Sequence, residues 1–305
     1  MIVRAIVPAD DLKEQVTTSV TPEDDTDEWV AGTYTEGQER WLASTHSVYK
    51  CAAASTTENP ADSVANATGA WAYLRPTNAY KMFSDSVYEQ TVSPTTITLT
   101  YDSSGADEFV DSACFFNLDA SSIEVWCTSV IAGGEFFREK KEMIDYSRVT
   151  DLYEYRRGSI QPRLTSFYPQ WMQYSDTIVN IEIANSGGDV KVGKVIIGNN
   201  FDVGSLEAGA QSTTRTIGKT RTVNGVRQFV ASGIRKSITG VVAIESGRAD
   251  YVSTTVGSKL GAMPVGVSAD SRYDSMQTYG VLSMTLTWMP NIIWQKASFK
   301  VESAE

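Results

Sequence analysis

One histidine and three cysteines are all that this 305-residue chain offers of the side chains that most often bind metals or activate nucleophiles. Cys51, Cys114 and Cys127 are odd in number and form no C-x-x-C, which argues against a disulfide framework and against a thiolate zinc site. Cys114 and Cys127 sit in apolar runs and read as small buried residues on strands. His46, among Ser44, Thr45 and Ser47, reads as a solvated loop histidine. No stretch approaches the roughly 20 apolar residues that cross a bilayer. Met1–Val7 is cut off by Pro8-Ala9-Asp10-Asp11, too short for a signal peptide. A soluble protein without membrane insertion or secretion signal is the expectation. Gly218-Lys219-Thr220 ends like a phosphate-binding loop, but Thr213 stands where that loop needs glycine. Asp24-Asp25 and Asp107-Glu108 are adjacent acids of the kind that solvated turns carry. Asp189, Asn199, Asn200 and Asp202 match no calcium-loop spacing. We expect no enzyme, no metal and no cofactor.

Apolar residues make up 42% of the chain and charged residues 21%, with a mean hydropathy of −0.21. That is enough apolar surface to offset the entropy of ordering a folded chain. The net charge is −11, unevenly spread. Residues 1–150 hold 24 acids and 10 bases, net −14, and residues 151–305 hold 13 acids and 16 bases, net +3. An acidic chain disfavours general nucleic-acid binding, which needs cations to displace counterions. The asymmetry fits copies meeting acidic face to basic face. It equally fits two solvated surfaces of opposite sign.

Hydrophobic periodicity is that of strands after residue 90. Phe109–Leu118 and Ser122–Val130, separated by Asp119-Ala120-Ser121, predict a hairpin. Thr177–Ala184 alternates, Asn185-Ser186-Gly187-Gly188-Asp189 is a turn, and Val190–Ile197 returns as a strand. Leu282, Met284, Leu286 and Trp288 alternate with Ser283, Thr285 and Thr287. Ala249–Leu260 is the one fair helix. The fold class is therefore mainly β: a small aromatic-cored β module followed by a jelly-roll-like β-sandwich region. The expected boundaries are an N-terminal segment and acidic linker (1–28), a small module (29–88) and a sandwich region (89–305), with two subdomains (89–185 and 186–305) as a further division. Glu23–Glu28 reads as a solvated acidic linker. Arg215, Lys219, Arg221, Arg227, Arg235 and Lys236 fall in one basic, polar stretch, read either as a long arm contacting an acidic neighbour or as a solvated loop pair.

Trp29, Tyr34, Trp41, Tyr49 and Trp71 carry the densest aromatic pattern. Tyr34, Gly37, Tyr49, Pro60 and Trp71 fall on a spacing that resembles the small chitin-binding-type modules of carbohydrate-binding families 5 and 12. Arg40 and Cys51-Ala52 depart from that pattern. The resemblance implies that the five aromatics are glycan-binding candidates, while the residues alone equally suit the core of a small module.

Trp71-Ala72-Tyr73-Leu74-Arg75-Pro76-Thr77-Asn78-Ala79-Tyr80-Lys81-Met82-Phe83 resembles a W-x-x-x-(G/R)-P-T-N-x-x-x-M-F-D segment of structural proteins encoded among tail genes of tailed bacteriophages. Phe115–Val125, Val192-Gly193-Lys194-Val195-Ile196-Ile197-Gly198 with Val203-Gly204, and Tyr279-Gly280-Val281 continue the likeness. It implies a virion component of the tail, tail tip or baseplate, assembled in the host cytoplasm. Its partners would be other virion proteins and further copies of itself. A host-surface glycan is the alternative partner, through the aromatic module.

Overall fold

The structure is a computed structural model. It describes every residue except 10–11, 105–109, 146–150, 152–155, 157–160, 169, 224–225, 290–292 and 305, and every described side chain except those of 161 and 217–234. Strand accounts for 52% of the residues and helix for 13%, so the chain is mainly β.

In chain order the first ten strands are β1 (Ile2–Pro8), β2 (Val16–Thr18), β3 (Glu39–Leu42), β4 (Ser47–Cys51), β5 (Trp71–Pro76), β6 (Thr91–Ser93), β7 (Ile97–Asp102), β8 (Ser112–Asp119), β9 (Ser122–Ser129) and β10 (Gly134–Glu142). The rest are β11 (Ile144–Asp145), β12 (Gln161–Pro162), β13 (Thr165–Tyr168), β14 (Ile178–Ala184), β15 (Val190–Leu206), β16 (Gln211–Val223), β17 (Val226–Glu245), β18 (Val265–Ser268), β19 (Gln277–Thr287) and β20 (Trp294–Ser303). Most of them build three bodies; β11 and β12 form a separate two-stranded sheet.

The first body is a sandwich. One sheet runs β10-β9-β14-β7-β2, and the facing layer is β13-β8-β15, with β6 on the far side of β15. Ile97, Leu99 and Tyr101, Ile123 and Val125, and Ile181 and Ile183 pack from the first sheet against Ala113, Phe115, Val192 and Ile197 of the second. The hairpin expected at Asp119-Ala120-Ser121 is instead an arch between the two sheets: β8 pairs with β13 and β15, and β9 with β10 and β14. The burial patterns give the reason. β9 alternates between buried and half-buried positions, as a strand with one wet face does. Ser112–Phe116 of β8 are all buried, which requires a layer covered on both sides. The turn at 185–189 is a second arch beside the first, tied to it where the Ser121 amide donates to the Ala184 carbonyl (2.8 Å) and the Ser186 amide to Ser121 Oγ (3.1 Å).

The second body is a closed ring of six antiparallel strands, β15-β1-β18-β19-β20-β17. It closes where Ser205 and Leu206 of β15 meet Ala243 and Val242 of β17. Val3, Val203, Val242, Val267, Leu282 and Phe299 are among its apolar residues. The expected helix is present as Ser246–Thr255, continuing in a π-helical turn to Leu260. Its buried residues Ala249, Val252, Val256 and Leu260 recur every three or four positions, one face of a helix, and join the same cluster. β15 runs through both bodies, pairing with β8 over 191–198 and with β1 over 198–205. The outer face of the sandwich layer meets the barrel in a seam of Ile6, Cys114, Phe116, Phe167, Ile196 and Tyr279.

The third body is the small module, a three-stranded sheet β3-β4-β5 with its own core of Tyr34, Leu42, Tyr49, Cys51 and Trp71. The first 28 residues are not a separate segment: β1 is a barrel strand and β2 a sandwich strand. The division at 185/186 likewise precedes a strand that both larger bodies share.

Candidate functional site

Two places carry chemistry beyond packing: the joint between module and sandwich, and the ribbon made by β16 and β17. The joint begins in the acidic run. Asp24, only 1% exposed at its side chain, accepts from Arg75 Nη1 (2.6 Å) and Nη2 (3.0 Å) and from the amides of Thr26 (3.0 Å) and Asn78 (2.9 Å). Burial alone would raise its pKa; the bonds from Arg75, Thr26 and Asn78 outweigh that and hold it at about 2. Glu23 accepts from Thr77 Oγ1 (2.9 Å) and pairs with His46 Nδ1 (3.0 Å). The His46 ring stacks on Tyr80, centroids 3.7 Å apart. So Glu23 and Asp24 are not a solvated linker and His46 is not a free loop residue. Carboxylates with that many donors are held in place, whereas Asp25, Asp27 and Glu28 of the same run are exposed.

The segment Trp71–Phe83 forms the other half of the joint. Asn78 exchanges bonds with the backbone of Val92 (2.8 and 3.2 Å), and Ala79, Tyr80, Met82 and Phe83 enter the sandwich core. Lys194 lies close by at 6% exposure, with Nζ on the Ser84 carbonyl and 4.9 Å from the centre of the Tyr279 ring. Burial pushes its pKa down to about 8. Sequence reasoning did not single out Asp24–Arg75 or Lys194. Partners 51 and about 110 positions apart leave no local spacing to read.

The five aromatic candidates come together in the module, mostly as core. Tyr34, Tyr49 and Trp71 are 6%, 5% and 3% exposed, so they present no ring face for a sugar to stack on. Their polar tips are satisfied internally: Tyr34 Oη donates to the Val30 carbonyl (2.7 Å) and Trp71 Nε1 to that of Glu58 (2.9 Å). Trp29 and Trp41 are half-buried, Trp29 packing on that core. Tyr73, absent from the sequence-based set, is exposed beside Tyr49.

The basic stretch is a hairpin. β16 and β17 pair from Gln211–Thr239 out to Val223–Val226, with a bulge at Ile217/Gly218. β17 also pairs with β20, but only from Ser237 inward. Beyond that point the two strands pair only with each other among the described residues, and β16 ends the sheet as an edge strand. Arg215 and Arg235 face each other directly across the ribbon and are both exposed. Lys219, Arg221 and Arg227 lie on its outer part, their side chains outside the described residues. Lys236 departs from the expectation of an outward interface residue. Its Nζ donates to the carbonyls of Asp274 and Gln277 (2.6 Å to the latter), and burial lowers its pKa to about 8. It anchors the root of the ribbon, beside a cavity of about 230 Å³ lined by Phe116, Leu164, Gln277 and Tyr279.

The three cysteines are free and buried. Burial raises the Cys127 thiol to about 12 and moves Cys114 up as well. Among the described residues no group of three or more His, Cys, Asp or Glu could hold a metal ion, and no helix is long and apolar enough to cross a membrane. Compared with protein-family models, curated proteins and solved structures, the chain matches none.

Proposed function

We propose that this chain is a structural component of a phage tail, tail tip or baseplate, joining virion proteins through its β-rich surfaces. The observation that carries the reading is the ribbon. A two-stranded hairpin is at best marginally stable alone in water. Here one extends past the last strand that supports it, with an open edge on β16. A long strand edge invites pairing with another chain, and proteins that keep such an edge protect it with charge or cover it. The basic residues on this one supply the protection, and a partner in an assembly supplies the cover.

Two further features support the reading. Three strongly displaced charged groups, Asp24, Lys194 and Lys236, hold elements together through an ion pair or backbone carbonyls rather than converging on a common cleft. The segment that resembles tail-gene proteins, Trp71–Phe83, is the one that fixes the module to the sandwich. The glycan-binding alternative draws less from the geometry, because three of its five aromatics are core.

The test is protein mass spectrometry of purified particles from cells that produce the chain. Recovery in stoichiometric amount with other tail proteins is the expected result; a chain found only in the particle-free fraction removes the reading. A glycan array probed with the full chain decides the alternative, which a specific, saturable signal abolished by Tyr73→Ala would revive.

A further inference from the structure

The ribbon has a compositional property that its geometry makes meaningful. Residues 208–244 contain six basic residues and no acid, net +6. Residues 21–70, which span the acidic run and most of the module, contain nine acids and two bases, net −7. Asp25, Asp27, Glu28, Glu36 and Asp62 there are exposed. Among the described residues no strand pairing joins ribbon and module within one chain, and no ion pair involves Arg215 or Arg235.

Arg215 and Arg235 sharpen the point. Like charges directly opposite on an exposed strand pair destabilise it. Within the chain the Glu302 carboxylate on β20 attracts Arg235, but it is already paired with Lys300. An acidic surface laid on the ribbon would offset the repulsion, and the chain carries such a surface at its other pole of charge.

We infer that the basic ribbon of one copy docks on the acidic module of a second copy, giving a head-to-tail contact. The two surfaces differ, so the contact is heterologous: every copy retains a free ribbon or a free module until the chain of contacts closes into a ring or continues as a stack. The inference takes the ribbon's role as an assembly contact from the reading above and adds its partner. Absence from particles would remove the virion reading, while the measurements below bear on the contact alone.

The test uses the full chain and native mass spectrometry with sedimentation velocity. The wild type forms higher-order species near 50 mM salt, and association weakens at least about tenfold by 500 mM as screening shortens the reach of charge. Two variants follow: R215E with R235E on the ribbon, and D25K, D27K and E28K on the module. Each alone sediments as a monomer, with unchanged circular dichroism and melting temperature. Mixed one to one, they recover association, because the unaltered ribbon of the module variant meets the unaltered module of the ribbon variant. A wild type that is monomeric at both salt concentrations overturns the inference. So do variants that keep the wild-type assembly, or a mixture of folded variants that remains monomeric.

Discussion

At the scale of single residues, the side chains that matter most are those that reconcile burial with charge. Asp24 gives up water for five donated bonds, two of them from one guanidinium. Removing Asp24 leaves a part-buried Arg75 and the Thr26 and Asn78 amides without their acceptor, at a cost of about 2 kcal/mol. Asp24→Ala should lower the stability of the module by that amount, read from urea titration of its tryptophan fluorescence. The pH dependence follows from the depressed pKa. The charged carboxylate contributes its full stabilisation above its ordinary value near 3.8, and that contribution is lost as pH falls toward about 2. The gap between wild type and Asp24→Asn should therefore narrow over that window, and a gap independent of pH there would contradict the assigned pairing. Glycine 198 poses the opposite problem, of space. A Cβ there would stand 1.8 Å from the Val7 carbonyl oxygen, because β1 crosses onto β15 at this point. Gly198→Ala should cost about 3 kcal/mol or more. Gly247→Ala, in open space on the helix, should instead gain up to about 1 kcal/mol. Equal thermal shifts for the two would refute the argument.

At the scale of elements, the ribbon is rooted by a lysine held against its charge preference. Lys236 donates to two backbone carbonyls with no carboxylate in hydrogen-bond contact among the described residues, and its pKa falls to about 8 from 10.5. The unfolded chain then binds the proton more tightly than the folded one. Between about pH 8 and 10.5 this group makes stability rise with pH, and below 8 its cost is constant. Stability of wild type relative to Lys236→Met should thus increase as pH climbs through that window, measured by urea melts at matched salt; a decrease would mean the ammonium is stabilised where it sits. Elements were largely legible in the sequence. The alternation of Leu282 and Met284 with Ser283 and Thr285 marks β19, and the spacing of Val252, Val256 and Leu260 marks the helix. Pairing was less so. Asp119-Ala120-Ser121 has the composition of a hairpin turn, but which layer each flanking strand joins depends on burial of the second face of β8, and that face meets Ile196 and Tyr279 from far along the chain. The aromatic cluster of the module was readable as residues but not as exposure, since stacking surface and core draw on the same ring types. Asp24 and Arg75 were hidden for the same reason of distance, and an acidic run says nothing about which of its members finds a donor.

At the scale of the whole molecule, the question is how many parts unfold together. Sandwich and barrel share β15, a 17-residue strand whose first half is laced to β8 and second half to β1. Breaking either body strips one half of that strand of its partners, and the apolar seam between them opens at once. These two should behave as one cooperative unit. The module stands differently. Its core is five buried side chains, and a body of about 50 residues buries too little apolar surface to be more than marginal on its own. It keeps its fold through the joint, so its opening free energy is set by the Asp24–Arg75 pair, the Glu23 contacts and the insertion of Tyr80, Met82 and Phe83 into the sandwich. Local opening below the global free energy shows itself in amide exchange. Amides of β3, β4 and β5 should exchange at least about tenfold faster than those of β14 and β15. Asp24→Ala should accelerate the module amides further while leaving β14 and β15 unchanged. If the substitution instead raised exchange across all three bodies in proportion, module, sandwich and barrel would form a single folding unit and the joint would be one core contact among many. If barrel and sandwich exchanged as two distinct classes, β15 would not couple them. A weakly held acidic module on a rigid two-body frame is also the arrangement that a head-to-tail contact would tighten, so exchange in β3–β5 should slow on assembly and recover in high salt.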